Sequence, residues 1–209
     1  MNLINITIIF VADDTIEYDS IIKNFNKCVN IKVYKCDISQ IKPVDCMVCP
    51  GNSYGIITNK HASTTNKILN IENGIKNAIN NLYYGEQPVG TCMLMNINNK
   101  DYKYMAHIPV SRVPSEKTDS YSSVSLMPDD TNKKNNVYYA FRAVLTSVLN
   151  YNKVNRDKIS TISCPLLYTD YKNKNPNISA NQMRLAYSMI DLGQDCSIKT
   201  ANEITALLK

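Results

Sequence analysis

Short apolar runs of strand length alternate along this chain with segments whose apolar residues recur every three or four positions. Residues 4–11 alternate and are β-branched, which predicts a strand. Residues 14–25 carry Ile16, Ile21, Ile22 and Phe25 at helical spacing. A second strand is expected over 30–37, with Ile31, Val33 and Tyr34 toward a core. Residues 44–49 are apolar almost throughout, the pattern of a strand buried on both faces. The longest helical pattern covers 64–82, through Ile68, Leu69, Ile71, Ile75, Ile79 and Leu82. Two further strands follow at 90–96 and 103–110, joined by a polar turn at 98–101. Helices over 137–150 and 179–192 flank a last core strand at 159–164, and a short helix over 200–208 ends the pattern. Residues 111–136 show no period and read as a long surface loop, a kind of segment more often functional than neutral. Strands and helices alternating in this way predict a three-layer α/β fold with a mixed central sheet. We expect one domain over 1–209, with its core at about 3–192 and a C-terminal helical extension at 193–209.

Composition narrows the class without naming a function. The 209 residues, 44% hydrophobic and 20% charged, suit a globular chain with a real core. No apolar run approaches the ~20 residues of a membrane span. The N-terminus has no basic region and meets Asp13-Asp14 early, so no signal peptide is expected. The net charge of +5 is spread among asparagines, and Lys133-Lys134 and residues 172–174 are the only clusters, so nothing asks for nucleic acid. Seven cysteines, an odd number, sit mostly in apolar runs and read as free thiols of a reducing, cytoplasmic compartment. Cys46 and Cys49 form a C-x-x-C, but in a strand they face opposite sides, so neither a metal nor a redox centre is expected there. His107 reads as a structural residue, whereas His61, in a polar loop, is open to contact with a ligand.

The informative stretch is Pro50-Gly51-Asn52-Ser53, where an apolar strand gives way to a tight polar turn and then a helix. That order places a ligand-binding turn at the carboxyl end of a sheet. Four stretches together resemble a macro domain, the ADP-ribose-binding α/β module. They are Cys36-Asp37-Ile38-Ser39, residues 44–55, residues 87–91, and residues 164–170 from Cys164-Pro165 to Thr169-Asp170. Residues 108–114 and 139–143 further resemble a macro-like group found in bacteria, phages and large DNA viruses.

The resemblance implies roles. Asp37, with the Ile38 backbone beside it, would accept the adenine amino group. The residues alone also allow Asp37 to cap a short turn. Asn52 would hold the terminal ribose and is the one candidate for a catalytic part. By itself it reads equally as a turn asparagine. Gly51, Ser53 and Gly55 would bring backbone and hydroxyl to the ligand. Leu167, Tyr168, Thr169 and Asp170 would form the phosphate loop, with Tyr171 as an aromatic contact to ribose.

Two departures from the family pattern matter. Where active members carry consecutive glycines, this chain reads Gly55-Ile56-Ile57-Thr58-Asn59-Lys60, without the acidic residue of several hydrolases. In the second loop Tyr168 and Asp170 stand in place of glycines that would let N–H groups cradle phosphate. A carboxylate ~5 Å from a phosphate charge costs roughly 3 kcal/mol at an effective dielectric of 20. The sequence therefore reads as a diverged macro domain that binds ADP-ribose, a related adenine nucleotide or an ADP-ribosylated macromolecule, without catalysis and without a cofactor or metal. The alternatives are an ADP-ribosyl hydrolase, and a macro fold that has lost nucleotide and serves as a structural or interaction protein.

Overall fold

The computed structural model describes residues 3–97, 99–112, 135–168 and 175–193. Most of the expected loop at 111–136, the expected helix at 200–208, and Thr169, Asp170 and Tyr171 lie outside the described residues.

The elements run β1 (Thr7–Ala12), α1 (Thr15–Phe25), β2 (Ile31–Lys35), a 3-10 turn (Ile38–Gln40), β3 (Cys46–Asn52), α2 (Lys60–Leu69), α3 (Glu72–Tyr83), β4 (Met93–Asn96), β5 (Tyr104–Ser111), α4 (Asn136–Val154), β6 (Thr161–Pro165) and α5 (Pro176–Gly193). The six strands form one sheet in the order β2-β1-β6-β3-β5-β4. All neighbours are parallel except β4, which runs antiparallel to β5.

Strand alternation builds the three layers. Cys46 and Val48 of β3, and Tyr104, Ala106 and Ile108 of β5, face one core with α1, α4 and α5. The intervening Cys49 and Met105 face a second core with α2 and α3. Phe10, Phe25 and Phe141 meet in the first core, with ring centroids 4.9 and 5.8 Å apart. Each such fully buried side chain contributes about 1.5–3 kcal/mol. Cys46 and Cys49 thus lie on opposite faces, and burial pushes the Cys49 thiol up to about 12.

Several boundaries differ from the sequence expectation, each for a local reason. Residues 3–5 form a 3-10 turn, because Asn30 donates its amide to Leu3 O and Ile6 O and draws that backbone out of the strand. The single helix expected over 64–82 is two helices. Asn70 adopts the left-handed conformation (φ 51°) that asparagine tolerates, and Asn66 Oδ1 accepts the N–H groups of Ile71 and Glu72 to start the next helix. Helix α2 also begins earlier, at Lys60, because the Asn59 side chain caps Ala62 N.

At the amino-terminal edge of the sheet, one carboxylate oxygen joins β3 to β6. Asp45 Oδ2 accepts the backbone N–H and hydroxyl of Ser160 (2.8 and 2.7 Å) and the same pair from Thr161 (2.9 and 3.0 Å). Burial pushes the Asp45 carboxyl up, but these bonds outweigh it and hold it below the usual range. Beyond this point β3 and β6 share only two register pairs, Cys46 with Ile162 and Met47 with Ser163.

Candidate functional site

Since β3 and β6 part after two pairs, their carboxyl ends leave a cleft between them. The helices that follow them lie on opposite faces of the sheet, which makes this a topological switch point. Gly51 and Asn52 of β3 line the cleft, with Thr58, Asn59 and His61 at the start of α2 and Leu166 and Tyr168 beyond β6.

The floor of the cleft depends on one missing methyl group. A Cβ at Gly51 would stand 2.4 Å from His107 Nε2. His107 packs there because Gln87 fixes its ring. His107 Nδ1 lies 2.7 Å from Gln87 Oε1, and Gln87 Nε2 donates to the His107 carbonyl (3.3 Å) and the Thr91 hydroxyl (3.2 Å). With its Nε2 committed as donor, Gln87 offers an acceptor to His107, so Nδ1 carries the proton. Burial lowers the His107 pKa to about 4, so the ring is neutral at pH 7. Gln87 N also donates to Ser53 O (2.9 Å), which ties the turn after β3 to the segment before β4.

Asn52 is buried and works inside its own loop. Its Oδ1 accepts from Tyr54 N (3.1 Å) and Ile56 N (3.2 Å), and its Nδ2 donates to Ile56 O (2.8 Å). Ser53 is fully buried, and its hydroxyl has no partner among the described residues. Gly55 has φ +67°, and a Cβ there would meet Ile75 and Ile79 of α3 at 2.6 and 2.9 Å, so packing and backbone both require glycine. Asn59 donates from Nδ2 to Pro50 O (2.8 Å) and holds α2 against the end of β3. Tyr54 donates to Glu86 Oε2 (3.3 Å), and Arg112 grips the same carboxylate through Nε (2.6 Å) and Nη2 (3.1 Å). That grip ties the turn after β3 and the segment before β4 to the end of β5.

Asp37 caps the 3-10 turn. Its Oδ1 accepts the Ser39 hydroxyl (2.7 Å) and N–H (2.9 Å), and Gln40 returns a bond to the Asp37 N–H. Oδ2 accepts no hydrogen bond among the described residues, so capping leaves half the carboxylate for another donor. The Ser39 bonds lower the Asp37 pKa, and the charges of Lys60 and His61 act in the same direction. Ile38 is buried among Val11, Val44 and Met47.

Tyr168 fills the other wall. Its residue is 9% exposed, and its phenol donates to Oε1 of the fully buried Glu17 at 3.0 Å. Leu167 points into the first core, and Leu166 reaches the cleft in its place. Behind this wall lies a cluster that the sequence reading did not assemble. Glu17 Oε2 accepts the Asp13 N–H (2.9 Å), and Asp13 sits between Lys60 Nζ (3.1 Å) and His61 Nε2 (3.6 Å). The pattern Asp14-x-x-Glu17 marks a helix start, with Asp14 Oδ1 accepting Glu17 N. No local signal places it beside residues 60 and 61.

No family model matches the sequence, and no curated protein matches it. Solved structures do. The macrodomain of Mycobacterium tuberculosis DarG superposes with a TM-score of 0.54 at 12% identity, covering 76% of this chain and 90% of that one. A point mutant of the Oceanobacillus iheyensis macrodomain gives 0.55 at 12% identity, covering 92% and 81%. The macrodomain of Thermus aquaticus DarG gives 0.52 at 11% identity, covering 74% and 87%. The chain has the macrodomain fold. Among the described residues, no helix is long and apolar enough to cross a membrane.

Proposed function

We propose that this chain is a binding module for ADP-ribose or a related adenine nucleotide, free or attached to a macromolecule, and that it does not turn its ligand over. One observation carries the reading. Gly51, Asn52 and Tyr168 come from the two stretches that resemble the ribose and phosphate loops of macro domains, and they line one cleft at the carboxyl ends of β3 and β6. Asp37 fits the adenine role, since its cap uses only Oδ1. The loops are those of a diverged member. Ile56 and Ile57 follow Gly55 where active members carry further glycines, the acidic residue of several hydrolases is missing, and Tyr168 occupies a glycine position. The free cysteines among the described residues fit a reducing cytoplasm.

A second reading also has a specific observation behind it. The buried Tyr168 ring and the Asn52 amide, engaged at both ends within its own loop, suit a macro fold that serves as a structural or interaction protein without nucleotide. Calorimetric titration with ADP-ribose, with AMP and NAD as controls, separates the two. Micromolar binding that is lost in Asp37→Ala supports the nucleotide reading. Absence of heat at millimolar ADP-ribose overturns it in favour of the second.

A further inference from the structure

We propose that Asp13, Glu17 and His61 form a binding site for a first-row divalent metal ion at the edge of the cleft, which His61 also lines. The three residues come from two segments: Asp13 and Glu17 from the start of α1, and His61 from the first turn of α2. One ligand atom from each lies within 4.8 Å of the others. At metal–ligand distances of about 2.0–2.2 Å, ligand atoms around a tetrahedral ion stand about 3.4 Å apart, so the cluster would close by up to about 1.4 Å on binding. One imidazole nitrogen with two carboxylate oxygens suits Mn²⁺, Fe²⁺ or Zn²⁺ better than the all-oxygen ions Mg²⁺ and Ca²⁺.

The surroundings support a cation in two ways. Glu17 is already oriented, with the Tyr168 phenol on Oε1 and the Asp13 N–H on Oε2, the kind of outer hydrogen bonding that fixes metal ligands. The chain also sets a cation of its own here. Lys60 Nζ rests 3.1 Å from Asp13 on a side chain that is 60% exposed and free to swing away. The competing idea, that Lys60 and His61 bind an anion once Asp13 is displaced, sets that anion against Glu17 and Asp37 as well as the displaced Asp13. The metal reading is tested separately from nucleotide binding by titrating nucleotide in the presence of a chelator.

The test uses the full chain with Mn²⁺, a hard ion that does not favour the cysteine thiols. Loss of the free-ion electron paramagnetic resonance signal reads binding, and calorimetry with sodium pyrophosphate reads the anion alternative. The wild type, Lys60→Ala, His61→Ala and Asp13→Asn are compared, with circular dichroism to check folding. One Mn²⁺ per chain is expected, weakened by roughly tenfold or more in His61→Ala and Asp13→Asn. Lys60→Ala, at an exposed residue, is expected to tighten it several-fold because the competing ammonium is gone. Absence of saturable Mn²⁺ binding, binding indifferent to His61→Ala, or binding not tightened by Lys60→Ala overturns the proposal. Pyrophosphate binding that is lost in Lys60→Ala, without Mn²⁺ binding in the wild type, makes the cluster an anion site instead.

Discussion

The phenol of Tyr168 donates to Glu17 Oε1 at 3.0 Å, joining two buried side chains 151 residues apart in sequence. Burial, then the Glu17 charge, pushes the Tyr168 phenol far up, so it remains a donor at every ordinary pH. The bond fixes the wall of the cleft to the first turn of α1 and satisfies one oxygen of a carboxylate that solvent does not reach.

Tyr168→Phe keeps the ring and removes the donor. It is expected to destabilise the fold by about 1–3 kcal/mol, the cost of leaving a buried acceptor short of a partner. Urea denaturation at pH 7 checks this. A midpoint equal to wild type would mean that Glu17 finds a replacement donor.

Gly51→Ala places a methyl group against His107 Nε2. Overpacking of this kind costs about 1–3 kcal/mol. In a double-mutant cycle with His107→Ala, the double variant is expected to lose less than the sum of the single losses, since the clash then has no partner. Additive losses would place the strain elsewhere.

Stability should fall on mild acidification. His107 titrates at about 4 in the fold and at about 6.5 in an unfolded chain. Between those values the unfolded state binds more protons, so stability rises with pH across this window. It is lost as pH drops from about 6.5 toward about 4, by up to about 3 kcal/mol. Asp45, Asp37 and Glu86, all held below their ordinary range, lose their contributions in a lower window, as pH falls below about 4. The urea midpoint measured from pH 7.5 to 4.5 should slope in wild type and flatten in His107→Gln.

Tyr84 ends α3 in the left-handed region at φ 54° with its residue 97% exposed. A side chain there bears strain without packing in return. Tyr84→Gly is expected to stabilise the protein by about 1 kcal/mol, seen as a raised thermal midpoint. A lowered midpoint would assign the ring a contact in solution.

The strands were legible in the sequence because β-branched runs such as residues 6–11 leave few alternatives. The end of β3 was not. Pro50-Gly51-Asn52 reads as a turn, yet the strand continues through it, because glycine lets His107 of the neighbouring strand pack beneath. Residues 64–82 carry a continuous helical period, and the break at Asn70 depends on a backbone angle that the hydrophobic pattern does not record. In the site, two of the stretches that resemble macro domain loops, around Gly51-Asn52 and at Leu166 and Tyr168, line one cleft, and Asp37 is not among its lining residues. Glu17, which holds Tyr168, and Asp13, which holds Lys60 and His61, were hidden because long-range contacts leave no mark on local spacing.

The short pairing of β3 with β6 has a geometric consequence. The sheet divides into two three-stranded panels, β2-β1-β6 and β3-β5-β4, joined near one corner by Cys46, Met47 and the four bonds to Asp45 Oδ2. The room available to a guest is therefore opened by the divergence of two panels, and the seam that joins them lies at the opposite end of the strands from the guest.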